Sequence, residues 1–324
     1  MQRSSPAGLP TTASSWLTSW GMGRVEALTV VRPRRGWRPL LRRFVHVPLL
    51  APAVGLSIAV FWTCMAVLVV MSVYPFLAAG TPRFTWAAWQ RFLVDPYYWG
   101  VVGTTLRLAV VVTGLSLLIG YPAAYAISKI QRPGWALAAY VVLFAPILVS
   151  VVVRTYGWLL LLSNTGVVNY VLRALGLIRE PIPLIFNTTG IVIAMVHILL
   201  PFAVFPILSV VGQLERDLKD AAMDLGATRW QTFRRVTLPL TLPGIIAGAQ
   251  IVFTLTVSAF VTPFLMGGGK VQILSGLIYR DMEAVNLGFA AVVALVLLTL
   301  AAAILAASNL LARRTYSRAE VARA

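Results

Sequence analysis

Long stretches without a charged side chain constrain this chain more than any other feature. A helix that crosses the hydrocarbon core of a bilayer needs about 20 apolar residues. Residues 44–82 hold one such run, which predicts a first span near 50–76. A second span fits between Arg107 and Lys129, and a third runs from Pro133 past Arg154 to about Leu162. The fourth, fifth and sixth cover residues 187–211, 241–265 and 287–311. Only 11% of the 324 residues are charged and 59% are hydrophobic, where a soluble domain carries about 25% charge. The expected fold is all-α, a polytopic membrane protein with six transmembrane helices.

The net charge of +17 would suit nucleic acid, but its distribution argues otherwise. Eight of the 27 Lys and Arg precede residue 44. Counting the arm, the 128–135 and 212–239 loops and the tail from Arg313 gives 19, while the alternate connections hold six. Basic residues collect on the cytoplasmic side of membrane proteins, so both termini and the 212–239 loop are expected in the cytoplasm. No soluble segment is long enough to present a nucleic-acid surface. Residues 1–46, rich in Pro, Ser, Thr, Gly and Arg, read as a cytoplasmic basic arm, disordered or resting on anionic membrane lipid. Residues 47–312 form the six-span domain, and 313–324 a cytoplasmic tail. The arm does not read as a cleaved signal peptide, because its basic region is too long and the next apolar run can stay as a span. Met22 offers an alternative start.

The 212–239 loop is the most informative stretch. Leu214, Leu218, Ala221, Ala222 and Leu225 share one helical face. Gly226 then stands where a left-handed residue would end a helix. Thr228-Arg229-Trp230-Gln231 matches a capping box that starts another. The loop therefore reads as helix, turn, helix, with small residues that let another protein approach. An amphipathic hairpin lying on lipid is the alternative on these grounds alone.

The same loop resembles the signature of binding-protein-dependent ABC importer permeases: Glu-Ala-Ala, three residues, Gly, nine residues, Ile, one residue, Leu-Pro. Here Asp220-Ala221-Ala222 precedes Gly226 by that spacing, and Val236, Leu238 and Pro239 follow. Asp220 and Val236 depart conservatively from the pattern. The resemblance implies a type I importer permease fold over roughly residues 47–312. It also implies that the loop couples the chain to a separate ATPase, and that Asp220, Ala221, Ala222, Gly226, Val236, Leu238 and Pro239 carry the coupling. The implied partners are a dimer of ATP-binding subunits, a second permease (homologous or identical) and a periplasmic or extracellular solute-binding protein. ATP and Mg would be used by the ATPase, and this chain would bind no cofactor of its own.

Val153-Arg154-Thr155-Tyr156-Gly157-Trp158, Asn164-Thr165-Gly166-Val167-Val168-Asn169 and Gly267-Gly268-Gly269-Lys270 with Leu277-Ile278-Tyr279-Arg280 resemble spermidine/putrescine-type permeases. That resemblance implies a polyamine, with opines, phosphonates or amino-acid-like compounds as alternatives. Arg154, Tyr156, Trp158 and His197 are the candidate substrate-pathway residues. All ten acidic residues fall outside the six spans, so a dication would have to rely on aromatic faces and carbonyls. Arg154 would instead attract an anion, or snorkel outward with no substrate role.

Other chemistry is missing from the sequence. Gly267-Gly268-Gly269-Lys270 lacks the leading Gly and trailing Ser/Thr of a phosphate loop. Two His and one Cys make no metal cluster. His197 lacks a nucleophile context, which argues against an enzyme. The absence of acids in the spans argues against an ion-coupled transporter. Pro122, Pro146, Pro201, Pro206 and Pro263 either bend the spans or are merely tolerated there. Gly244-x-x-x-Gly248 has the spacing that seats a neighbouring helix closely.

Overall fold

The computed structural model describes residues 38–74, 84–214 and 216–321. The described residues are helical, with no strand among them. The chain divides into two compact units, residues 1–61 and 62–324. In the first, the basic arm lies outside the described residues as far as residue 37. From Arg38 the backbone is already helical, in α1 (Arg38–Val73), whose uncharged part is Ala51–Val73.

The second unit continues with α2 (Ala87–Val94), α3 (Pro96–Ser128), α4 (Pro133–Leu148), α5 (Val151–Leu162), α6 (Val167–Ala174) and α7 (Thr188–Gly212). It then passes through α8 (Arg216–Asp224), α9 (Arg229–Thr232), a π-helical segment (Phe233–Thr237) and α10 (Leu238–Ser258). α11 (Val261–Gly267), α12 (Leu274–Glu283) and α13 (Leu287–Val321) complete it. Six helical stretches are long and apolar enough to cross a membrane: Ala51–Val73, Pro96–Ser128, Val151–Ala174, Thr188–Gly212, Arg229–Ser258 and Leu287–Leu310.

Three spans differ in their bounds from the sequence reading. The second begins at Pro96, well before Arg107. Asp95 caps it by accepting from the Tyr97 N–H at 2.9 Å, and Pro96 fits the first helical position, where no N–H is needed. Arg107 therefore lies inside the span, exposed on its face. The third is interrupted, because Pro146 lies near the end of α4 and Val149 and Ser150 are extended before α5 resumes. At 16 and 12 residues, α4 and α5 are each too short to cross alone; the stretch long and apolar enough is Val151–Ala174, α5 with α6, so this span begins and ends later than Pro133 and Leu162. The fifth starts further inward, at Arg229, and stops at Ser258, where Ala259 turns extended. Pro263 accordingly belongs to α11.

α3, α7 and α10 form the centre. Ala194, Ala203, Val204 and Ile207 of α7 have no exposed surface. The Gly244/Gly248 pair brings α10 onto α7 backbone to backbone. A Cβ at Gly244 would lie 2.8 Å from the Pro206 carbonyl oxygen, and one at Gly248 would lie 3.0 Å from that of Ala203. α7 runs unbroken through Pro201 and Pro206, as α3 does through Pro122. A second cluster joins Phe92, Tyr98, Leu274, Leu277, Phe289 and Val292 of α2, α3, α12 and α13. The α7–α10 contact sets the end of α7 near the start of α10, and the 212–239 loop runs between them.

Candidate functional site

The loop is a capped helical hairpin. α8 closes with two bonds across its end, from the Gly226 N–H to the Met223 carbonyl (2.9 Å) and from the Ala227 N–H to the Ala222 carbonyl (3.1 Å). Gly226 has φ +85°, the left-handed conformation this closure needs and one glycine adopts at little cost. Two residues on, the Thr228 hydroxyl accepts from the Gln231 N–H (3.3 Å), and the Gln231 side chain accepts from the Thr228 N–H (2.9 Å). The direction change between α8 and α9 is thus set by one glycine and one reciprocal cap.

The tip is polar in sequence yet displays apolar side chains. Leu218, Met223, Leu225 and Trp230 are exposed, Leu225 to 90%. Asp220 and Ala221 are exposed beside the half-buried Ala222. An apolar patch on an otherwise charged loop marks a surface that another protein or a membrane covers. Val236 and Leu238 are half-buried and Pro239 exposed, where the π-helical segment hands over to α10. Behind the hairpin lies a cavity of about 420 Å³, lined by residues that include Tyr125, Lys129, Asp220, Arg229 and Thr232.

Contacts that the sequence did not disclose tie the hairpin to the spans. Trp230 stacks on Phe233 at 5.5 Å, and Phe233 meets the edges of Tyr121 (5.9 Å) and Tyr125 (6.0 Å) on α3. The Tyr121 and Thr241 hydroxyls lie 3.1 Å apart. Tyr121 and Tyr125 lie more than 100 residues from Phe233 and Thr241 along the chain, so no local pattern could have paired them.

Of the four pathway candidates, three come together. Arg154 and Trp158, one helical turn apart on α5, share a face. The Trp158 Nε1–H donates to His197 Nδ1 on α7 at 3.2 Å, and the rings meet edge to face at 5.3 Å. Arg154 thus sits one turn from the indole that bonds His197. Tyr156 points elsewhere on α5 and is 54% exposed. Next to Arg154, Thr155 is fully buried and its hydroxyl pairs with that of Thr262 on α11 at 2.9 Å. Among the described residues no group of His, Cys, Asp and Glu could hold a metal.

The conserved-motif profile of the family described as binding-protein-dependent transport system inner membrane component matches residues 21–316. The spermidine/putrescine transport system permease protein PotB of Escherichia coli is 38% identical over 186 residues, 57% of this chain and 67% of that one. PotB of Haemophilus influenzae is 34% identical over 214 residues, 63% and 74% of the two chains. The inner membrane ABC transporter permease protein YdcU of Escherichia coli is 33% identical over 245 residues, 71% and 77%. In three dimensions the chain resembles one from a bacterial alginate ABC transporter solved in complex with an alginate pentasaccharide-bound periplasmic protein. The TM-score is 0.68 at 20% identity, covering 86% of this chain and 98% of the other, which supports the fold.

Proposed function

This chain belongs to the family of binding-protein-dependent transport system inner membrane components, and on that premise we propose that it forms half of an ATP-driven solute pathway and is driven through the 212–239 loop. It is an ABC importer permease, a multi-pass protein of the bacterial inner membrane, and not itself an enzyme. The observation that carries the coupling role is the hairpin tip. A glycine-closed helix presents Leu218, Met223 and Leu225 outward, while Trp230 and Phe233 join the same hairpin to α3. A docking surface rigidly tied to a span is what transmission of ATP-driven closure requires.

In this reading a dimer of ATP-binding subunits, with ATP and Mg, docks on the hairpins of this chain and of a second permease, identical or homologous. A solute-binding protein delivers cargo to the outer face. The hairpin and both termini then lie in the cytoplasm, as the charge asymmetry supports. The PotB relatives support a polyamine such as spermidine or putrescine as the substrate. A second reading, an opine, phosphonate or amino-acid-like solute, is favoured by one observation: the crossing helices carry no acid, while Arg107 and Arg154 lie within them, with Arg173, Arg229, Arg234 and Arg235 towards their ends.

Co-purification tests the coupling. The ATP-binding subunits encoded with this chain should be retained by the wild type. They should be lost from a variant with Leu218, Met223 and Leu225 changed to Ser, while membrane insertion persists. Equal retention by both would refute the hairpin as the docking surface.

A further inference from the structure

Arg154 is the least satisfied polar group in the spans. Its Nε and Nη1 atoms are covered by the surrounding chain, and neither meets an acceptor among the described residues. Arg154 is half-buried, and a guanidinium with two of its nitrogens out of water needs a partner to offset the lost hydration. An intramembrane carboxylate would be the ordinary solution, but every acidic residue lies outside the apolar crossings. The nearby polar groups do not supply an acceptor either. His197 Nδ1 is taken by the Trp158 N–H, so the neutral ring carries its own N–H at Nε2 and is a second donor. The Thr155 hydroxyl is engaged by the Val151 carbonyl and Thr262.

An orphaned guanidinium, one turn from the indole that bonds a second donor ring, with no acceptor on either, describes half of a binding site. We propose that Arg154, one turn from the Trp158 that bonds His197, receives an oxyanion group of the transported solute, a carboxylate in the first instance. The planar guanidinium fork matches a carboxylate with two parallel hydrogen bonds. The subsite rests on the importer reading above, and it narrows the cargo to a solute that carries an oxyanion as well as any amine. A plain dication would meet only repulsion there.

The location suits a group that is covered in one conformation and reached in another. The α4–α5 break at Val149–Ser150 lies one turn before Arg154, and the α10–α11 break at Ala259–Phe260 lies just before Thr262. The Thr155–Thr262 pair ties α5 to α11. A shift of α5 against α7 uncovers Nε and Nη1, and a solute bearing the matching group favours that state by its differential affinity.

The test uses the complete importer, with its ATP-binding subunits and solute-binding protein, in cells stripped of competing uptake. Labelled diamines, ω-amino acids of matched length and aminophosphonates are offered in turn. The wild type should take up an oxyanion-bearing member. Arg154→Gln should lower that uptake by on the order of tenfold or more, and Arg154→Lys should keep part of it. Both variants should insert in the membrane and co-purify with the ATP-binding subunits. Uptake confined to diamines, or undiminished uptake of oxyanion solutes by Arg154→Gln, overturns the subsite and leaves the importer reading standing. Loss of permease pairing in both variants, seen by light scattering, assigns the guanidinium to the subunit interface and also overturns the subsite. Uptake that continues without ATP, or none for any solute, overturns the importer reading itself.

Discussion

Replacing Gly226 isolates the contribution of backbone conformation at the hairpin. A Cβ at this position would meet nothing within 4 Å, so a substitution there creates no clash. What it meets is φ +85°, a left-handed conformation that costs an L-residue about 1–2 kcal/mol. α8 has nine residues, and isolated helices of that length are marginal in water. The penalty is therefore felt nearly in full in the population of the closed hairpin, a factor of about 5–30. Gly226→Val should lower ATP-dependent uptake and the apparent affinity for the ATP-binding subunits by that factor. Gly226→Asn, which tolerates the left-handed region, should keep most of both. The assay is the reconstituted complex, titrated with ATP-binding subunits and read by solute uptake and ATP hydrolysis. Equal losses in the Asn and Val variants would show that glycine is needed for close approach of the partner, not for its φ, and the conformational argument would fail.

Three other perturbations test the frame. Gly244→Leu forces side-chain atoms against the α7 backbone at Pro206 and Ile207, and should lower thermal stability in detergent by at least about 1–3 kcal/mol; an unshifted melting point would refute the close α7–α10 contact. Asn169 has no exposed surface, donates to the carbonyls of Ser163 and Ile182 (both 3.0 Å) and accepts from the Ile182 N–H (2.9 Å). Asn169→Ala should cost about 1–3 kcal/mol for each buried group left unpaired and open residues 163–187 to protease, while Asn169→Asp, its carboxylate set against two carbonyls, should not rescue it. Burial raises the Asp281 carboxyl, against its hydrogen bond from Asn286 and the charges of Arg91 and Arg280, which lower it. A carboxyl raised in the folded state binds its proton more readily there, so the α12–α13 junction gains stability as pH falls through the raised value and loses it as pH rises. Asp281→Asn should flatten that dependence in a pH series of thermal unfolding.

The spans were legible because hydrocarbon imposes a length and excludes charge, and both conditions can be read locally. The hairpin was legible because Gly226 and Thr228-x-x-Gln231 act within five residues of themselves. Charged residues at span edges misled the reading where they lie within a helix. Arg107 seemed to bound the second span, yet Asp95 and Pro96 start it a full three turns earlier. The breaks at Val149 and Ala259 had weak sequence signals, since Pro146 and Pro263 lie near them but Pro122, Pro201 and Pro206 sit in unbroken helices. Whether a proline interrupts a membrane helix depends on what packs around it. The Phe233 contacts, the Thr155–Thr262 pair and the orphaned guanidinium are tertiary facts, and one sequence holds no local trace of them.

These tertiary contacts connect the two ends of the pathway. From Arg229 to Ser258 the helical backbone runs without interruption, about 45 Å at 1.5 Å per residue. Its first turns carry the capped hairpin and the Trp230–Phe233 stack. Its middle is seated on α7 through Gly244 and Gly248, within a few turns of His197. Its far end gives way at Ala259 to α11, whose Thr262 pairs with Thr155 beside Arg154. A displacement imposed on the hairpin therefore meets no backbone break until the helix reaches the neighbourhood of the unpaired guanidinium. Contiguity alone does not establish coupling, which requires an element with two arrangements that both sites bias. The candidate for that element is the α10–α11 junction, where the helix is broken at Ala259, and its bias can be measured. If the hairpin and Arg154 act on the same junction, Gly226→Val and Arg154→Gln should be non-additive in solute-stimulated ATP hydrolysis. Simple additivity would separate the two sites.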